Sequence, residues 1–228
     1  MKLERACARR TFISQSTVAG AVAWTAGNLT GSPGQKADII KVGLVGCGGR
    51  GTGACSQALQ ADPGARLVAM ADVFADRLEG SLDRIKAIPA VAGKIEVPPA
   101  KRFVGFDAFD ELIDSGVDVV LLTTPPHFRP AHLKKAVDAG VHVFAEKPAA
   151  VDGPGVRSVL ASCQKARKKN LSVVSGLCLR HSLGFQELVK RLQAGAIGDL
   201  LTLQANDYRG SIWYKERQPD WTDMHYQM

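Results

Sequence analysis

No two cysteines in this chain have the C-x-x-C spacing, and none stands at metal-ligand spacing from a histidine. Cys7, Cys47, Cys55, Cys163 and Cys178 therefore read as small buried hydrophobes, not as a disulfide framework. No metal site is expected. No apolar run reaches the roughly 18 residues that a membrane span needs, so none is expected. Basic residues are not interleaved with aromatics, and the net charge of +7 is modest. Part of that charge lies in Lys2, Arg5, Arg9 and Arg10. Another part, Lys165, Arg167, Lys168 and Lys169, falls at a predicted helix end, where cations complement the helix dipole. A nucleic-acid surface, which would need stacking platforms, is not expected.

What is present is organised around Ile39–Gly51. Ile39 to Val45 is a short apolar, β-branched run suited to a buried parallel strand. Gly46-Cys47-Gly48-Gly49-Arg50-Gly51 then has the form G-x-G-x-x-G, and Thr52 to Ala61 can be helical. Strand, glycine turn and helix in that order form a dinucleotide site. Gly46 permits the tight turn, Gly48 lets backbone N–H groups approach a pyrophosphate, and Gly51 lets the helix lie close to the strand. A second strand, Arg66 to Ala71, ends at Asp72, twenty-one residues after Gly51. A carboxylate there can accept hydrogen bonds from the adenosine ribose, and it disfavours a 2′-phosphate. NAD is expected, with NADP the alternative because Arg77 lies close by. Gly49 completes the loop, and Arg50 stands beside the pyrophosphate position, where it could pair with it.

The rest of the chain falls into three regions. Residues 1–35 read as an export signal and linker. Arg9-Arg10-Thr11-Phe12-Ile13 resembles a twin-arginine signal, and Phe12 to Ala26 is a weakly apolar stretch behind it. An exported, periplasmic protein is expected, or a cytoplasmic one if the leader is not a signal. Residues 36–176 read as the dinucleotide-binding domain, an α/β doubly wound parallel sheet (Rossmann). Helices are expected over 75–88, 106–115, between Pro130 and Gly140, and over 155–169, alternating with strands at 103–104, 117–122, 141–145 and 171–175. Residues 177–228 read as the start of an α+β substrate domain with an open, mostly antiparallel sheet. They hold a helix over 183–194 and one alternating strand over 200–208. One strand cannot form a sheet with its own core, so the chain is expected to be incomplete.

Two further motifs stand at strand ends, Thr124-Pro125-Pro126-His127 and Glu146-Lys147-Pro148. Lys147 lies where doubly wound sheets bind ligands, and there it could bond a substrate hydroxyl and assist proton removal. Glu146 could position Lys147 or contact the nicotinamide ribose. Thr124, Pro125 and His127 lie where the ribose and nicotinamide would pass, with His127 alternatively a structural turn residue. Together with the glycine loop, Asp72 and Gly195-Ala196-Ile197-Gly198, these motifs resemble the Gfo/Idh/MocA oxidoreductase family, particularly its exported members, over about 36–228. The resemblance implies an NAD(P)-dependent oxidoreductase acting on a sugar or cyclitol hydroxyl, with Lys147 catalytic, Arg180 a cofactor or substrate contact, and a homo-oligomer at full length. It also implies a catalytic Asp/His pair in the substrate domain, which Asp220, Asp223 and His225 do not match. The alternatives are an NAD-dependent glycosidase of the same superfamily and a redox-silent dinucleotide-binding protein.

Overall fold

The computed structural model describes residues 39–210, 214 and 216–227, so the leader motifs of residues 1–35 and Cys7 lie outside the described residues. Six parallel strands form one sheet in the order β3-β2-β1-β4-β5-β6. They are β1 (Ile40–Val45), β2 (Ala65–Asp72), β3 (Arg102–Val104), β4 (Val119–Leu122), β5 (His142–Ala145) and β6 (Val173–Ser175). The intervening helices are α1 (Gly49–Ala61), α2 (Ala75–Lys86), α3 (Ala108–Asp114), α4 (Arg129–Asp138) and α5 (Gly153–Lys168). This is the expected doubly wound sheet, and the strand order reverses at β1, between β2 and β4. Such a reversal opens a crevice at the strands' carboxyl ends.

Strand alternation builds two apolar layers. Val120 and Leu122 join Leu112, Leu133 and Val137 on one face, whereas Leu121 joins Leu44, Leu59 and Leu82 on the other. In β2, Leu67 and Met70 share a layer although three residues apart. The cause is a bulge: Val42 pairs with Leu67 but Gly43 pairs with Ala69, so Val68 is the extra residue and resets the alternation. Leu44, Leu59, Leu67, Leu78 and Leu82 are wholly buried, each contributing roughly 1.5–3 kcal/mol. The helices begin where local chemistry allows. Pro130 stands in the first turn of α4, and the Asp152 side chain caps α5 by accepting from the Gly155 N–H at 2.7 Å.

Three expectations need correction. Helix α1 starts at Gly49, three residues before Thr52. The glycine loop itself forms the first turn, and burial of Cys55 and Leu59 on α1 offsets the poor helix propensity of glycine. Residues 200–208 do not form a strand. No strand beyond β6 is present among the described residues to pair with them, and Leu201 and Leu203 are 92% and 80% exposed. The helix expected over 183–194 is present as α6 (Leu183–Gln193), and the described part of 177–228 also carries a short α7 (Asp223–Gln227). Finally, Cys178 is exposed and Cys163 only half-buried, whereas Cys47 and Cys55 are buried as expected. Cys178 opens a short 3-10 turn with no buried residue. Among the described residues no helix is long and apolar enough to cross a membrane.

Candidate functional site

The carboxyl ends of β1, β2 and β4 enclose a cavity of about 520 Å³, the size of a small-ligand or cofactor site. Its floor is the turn after β1. Gly46 has φ +91°, and a Cβ there would lie 2.7 Å from the Thr124 nitrogen. Only glycine fits both the backbone angle and that approach. A Cβ on Gly51 would lie 2.0 Å from the Gly46 carbonyl oxygen, so α1 is pressed against the turn. At Gly48 and Gly49, by contrast, nothing lies within 4 Å of where a Cβ would be. The turn is thus closed on the protein side and open on the cavity side. There the N-terminus of α1 presents its N–H groups and partial positive charge.

Asp72 ties this turn to the end of β2. Its carboxylate accepts from the Cys47 N–H at 2.6 Å and from the Phe74 N–H at 2.9 Å. The carboxylate is therefore held at the cavity wall with lone pairs left for a further donor. Thr123, at the end of β4, directs its hydroxyl to the carbonyls of Val45 at 2.9 Å and Gly46 at 2.6 Å. The two strand ends on either side of the crevice are joined through these bonds.

A charged network lies at the end of β5. Glu146 is buried, and its Oε1 pairs with Arg50 Nε at 3.0 Å while its Oε2 accepts from the Lys147 N–H at 3.2 Å. The Arg50 guanidinium also donates to Gln57 at 3.0 Å. Arg129, the first residue of α4, is 2% exposed. It donates through Nη2 to the Thr124 carbonyl at 2.5 Å and through Nη1 to the Pro148 carbonyl. Burial lowers its pKa, and the Glu146 carboxylate opposes that shift. Lys147 itself is exposed, and the Lys147–Pro148 peptide bond is cis. Among the described residues, its ammonium has no hydrogen-bond or ion-pair partner.

His132 lines the cavity between aromatic neighbours, stacked on Phe109 at 4.1 Å and on Phe128 at 5.9 Å. Desolvation pushes its pKa down to about 4; Asp110 opposes the shift, while Arg129 and Lys135 reinforce it. Unfolded chains bind this proton near pH 6.5. The folded state therefore loses stability as pH falls from about 6.5 toward 4. The loss is up to about 3 kcal/mol. His132→Phe should flatten the melting-temperature profile across that window. The Asp138 carboxylate, held down to about 2 by hydrogen bonds from Lys165 and Lys134, acts only at lower pH. Parallel profiles for the two proteins would show that His132 does not set the slope.

The structure thus gathers Gly46, Gly48, Gly49, Arg50, Asp72, Thr124 and Pro125 around one cavity, with Gly51 packed beneath it. Glu146 and Lys147 stand at the adjoining strand end, linked to the cavity through Arg50. His127 is exposed, in edge contact with Phe128, and Arg180 is exposed in the 3-10 turn after β6; neither lines the cavity. Sequence reasoning missed Arg129, His132 and Phe74. Arg129 carried a signal: a cation in the first turn of a helix opposes the dipole and needs a specific reason to be there.

The family model described as "Oxidoreductase family, NAD-binding Rossmann fold" (GFO_IDH_MocA) matches residues 40–175. The chain belongs to this family. The match spans all six strands of the sheet. The chain is similar to an inositol 2-dehydrogenase of Salmonella typhimurium, 27% identical over 181 residues, which are 79% of this chain and 49% of that protein. It is 31% identical over 160 residues to inositol 2-dehydrogenase 1 of Saccharopolyspora erythraea, covering 70% of this chain and 43% of the relative. Among solved structures, a 3-ketoreductase from Actinomadura kijaniata in complex with NADP matches with a TM-score of 0.53 and 26% identity, over 71% of this chain and 46% of the other. A scyllo-inositol dehydrogenase from Lactobacillus casei, with bound NAD(H) and scyllo-inositol, shares the fold with a TM-score of 0.55 at 24% identity, over 71% and 43%. The chain spans about half the length of the curated relatives it matches.

Proposed function

We propose that this chain supplies the cofactor half, and a proton-handling lysine, of an oxidoreductase that moves hydride between a sugar or cyclitol CH–OH carbon and a nicotinamide. The observation that carries the reading is the one-sided glycine turn. Its protein side is closed by Gly51 against Gly46, its cavity side is open at Gly48 and Gly49, and the Asp72 carboxylate stands at its edge. The residues present fit a dinucleotide. The N–H groups of the turn would hold the pyrophosphate, Asp72 the adenosine ribose, and the loops after β4 and β5 the nicotinamide end. When bound, the nicotinamide supplies the hydride acceptor. Lys147 Nζ, exposed and unpaired among the described residues, takes the proton of the substrate hydroxyl. The inositol dehydrogenase names of the relatives support a polyol substrate. The same proposal covers export of the protein by the twin-arginine leader and a homo-oligomeric state.

Incubation of the full-length protein with NAD and a panel of cyclitols and sugars tests the reading. Accumulation of NADH with at least one polyol supports it. Cleavage of an aryl glycoside without net reduction would replace it by the glycosidase reading, and binding without either reaction by the redox-silent one.

Cofactor choice gives a separate expectation. Both Asp72 oxygens are held by backbone N–H groups at the cavity edge, so its negative charge meets a 2′-phosphate. NAD should bind about tenfold more tightly than NADP, despite Arg77 lining the same cavity. Fluorescence titration with both nucleotides measures the ratio; equal or tighter NADP binding would show that Arg77 overrides Asp72.

A further inference from the structure

Resting on the dinucleotide reading, we infer that Arg129 is a positioning residue that sets the nicotinamide end of the site. Its guanidinium ties together the two loops that carry that end. The loop after β4 offers the Thr124 carbonyl and the loop after β5 offers the Pro148 carbonyl; Arg129 donates to both from the start of α4. These loops are 24 residues apart in sequence, Thr124 to Pro148. Among the described residues no other side chain bridges the two carbonyls.

Three features separate this from a packing arginine. First, the side chain is buried at 2% exposure, and its Nε has no hydrogen-bond partner among the described residues. The residue forgoes one donor and still directs its two terminal nitrogens to different loops. Second, it stands at a helix N-terminus, where the dipole disfavours a cation. Third, it completes a clamp around Lys147. On one side Glu146 accepts the Lys147 N–H and pairs with Arg50 of the glycine turn. On the other side Pro148 presents its carbonyl to Arg129. The backbone of Lys147 is thus held through both neighbours, and its side chain projects from a fixed point. A planar fork reaches two carbonyls at once, whereas a lysine ammonium on a flexible stem does not hold both in one geometry.

The placement makes a selective prediction. ADP, which ends at the pyrophosphate, would contact only the glycine turn and the Asp72 side, which Arg129 does not touch. NAD adds the second ribose and the nicotinamide, which would meet the loops that Arg129 joins. Calorimetric titration of the full chain with both ligands is compared for the wild type, Arg129→Met and Arg129→Lys, with ADP binding reporting an intact fold. In Arg129→Met, NAD affinity should fall about tenfold and ADP affinity by less than about twofold. Arg129→Lys should recover part of the NAD loss, since it keeps a charge and a donor. Parallel weakening of both ligands, unchanged NAD affinity in Arg129→Met, or failure of both variants to fold would overturn the assignment and leave Arg129 a stability residue. Absence of NAD binding by the wild type would instead overturn the dinucleotide reading itself.

Discussion

Gly51→Ala should unfold the sheet's β1–α1 corner, with a loss of about 3–5 kcal/mol. The added Cβ would stand 2.0 Å from the Gly46 carbonyl oxygen, 2.5 Å from Thr123 Oγ1 and 3.1 Å from the Gly46 carbonyl carbon. Two of these neighbours are backbone atoms in a turn fixed by the Gly46 N–H bond to Ala71 at 2.9 Å, so they cannot swing aside. Relief requires α1 to move outward by an ångström or so, but Cys55 and Leu59 on the same helix are wholly buried. Lifting them opens space in a close-packed layer. Gly48→Ala is the contrasting control. Its Cβ meets nothing within 4 Å, so the fold should hold while the approach of a pyrophosphate is blocked. Thermal unfolding of the two variants separates them. Equal melting temperatures would show that the α1 contact is looser than described.

Lys147→Ala should lower turnover by about 10²–10⁴-fold, the range for loss of a general acid or base. It should leave melting temperature and NAD affinity nearly unchanged. The side chain is exposed, and its ammonium is unpaired among the described residues, so its removal breaks no contact that supports the fold. An exposed substitution of this kind changes stability by no more than about 0.5 kcal/mol. The loss should fall on kcat, because the interaction strengthens as the hydroxyl proton leaves. Steady-state kinetics of the full-length protein on a polyol that the wild type oxidises give the value. Turnover within a few-fold of wild type would remove Lys147 from the chemistry.

The parts of the fold that were legible in the sequence were those carried by local pattern. Apolar runs between glycine and proline punctuation placed all six strands within two residues of where they lie, with β4 and β6 each beginning two residues later than expected, at Val119 and Val173. The glycine turn was legible because its backbone angle and close approaches admit little else. The strand expected at 200–208 failed because alternation is only a local preference. A strand forms when a neighbour supplies the ladder, and none of the described residues does. At the site, Asp72 was read for what it offers a ligand. Its bonds to the Cys47 and Phe74 N–H groups depend on how β1 and β2 pair, which periodicity does not show. Arg50 was placed beside a phosphate, yet it also pairs with Glu146, 96 residues later. Arg129 was missed for the same reason: its two acceptors are backbone carbonyls on separate loops, and carbonyls leave no mark in a sequence.

The most direct measurement is an amide-resolved NMR titration of the chain with NAD. Saturable shifts are predicted at Cys47, Gly48, Gly49 and Arg50, at Asp72 and Phe74, and at Thr124 and Lys147. Lys41 and Asp118, which bond each other at the opposite end of the sheet at 2.8 Å, should stay unshifted. Shifts absent from the glycine turn, or clustered at that opposite end, would contradict the assignment of the cavity as a dinucleotide site.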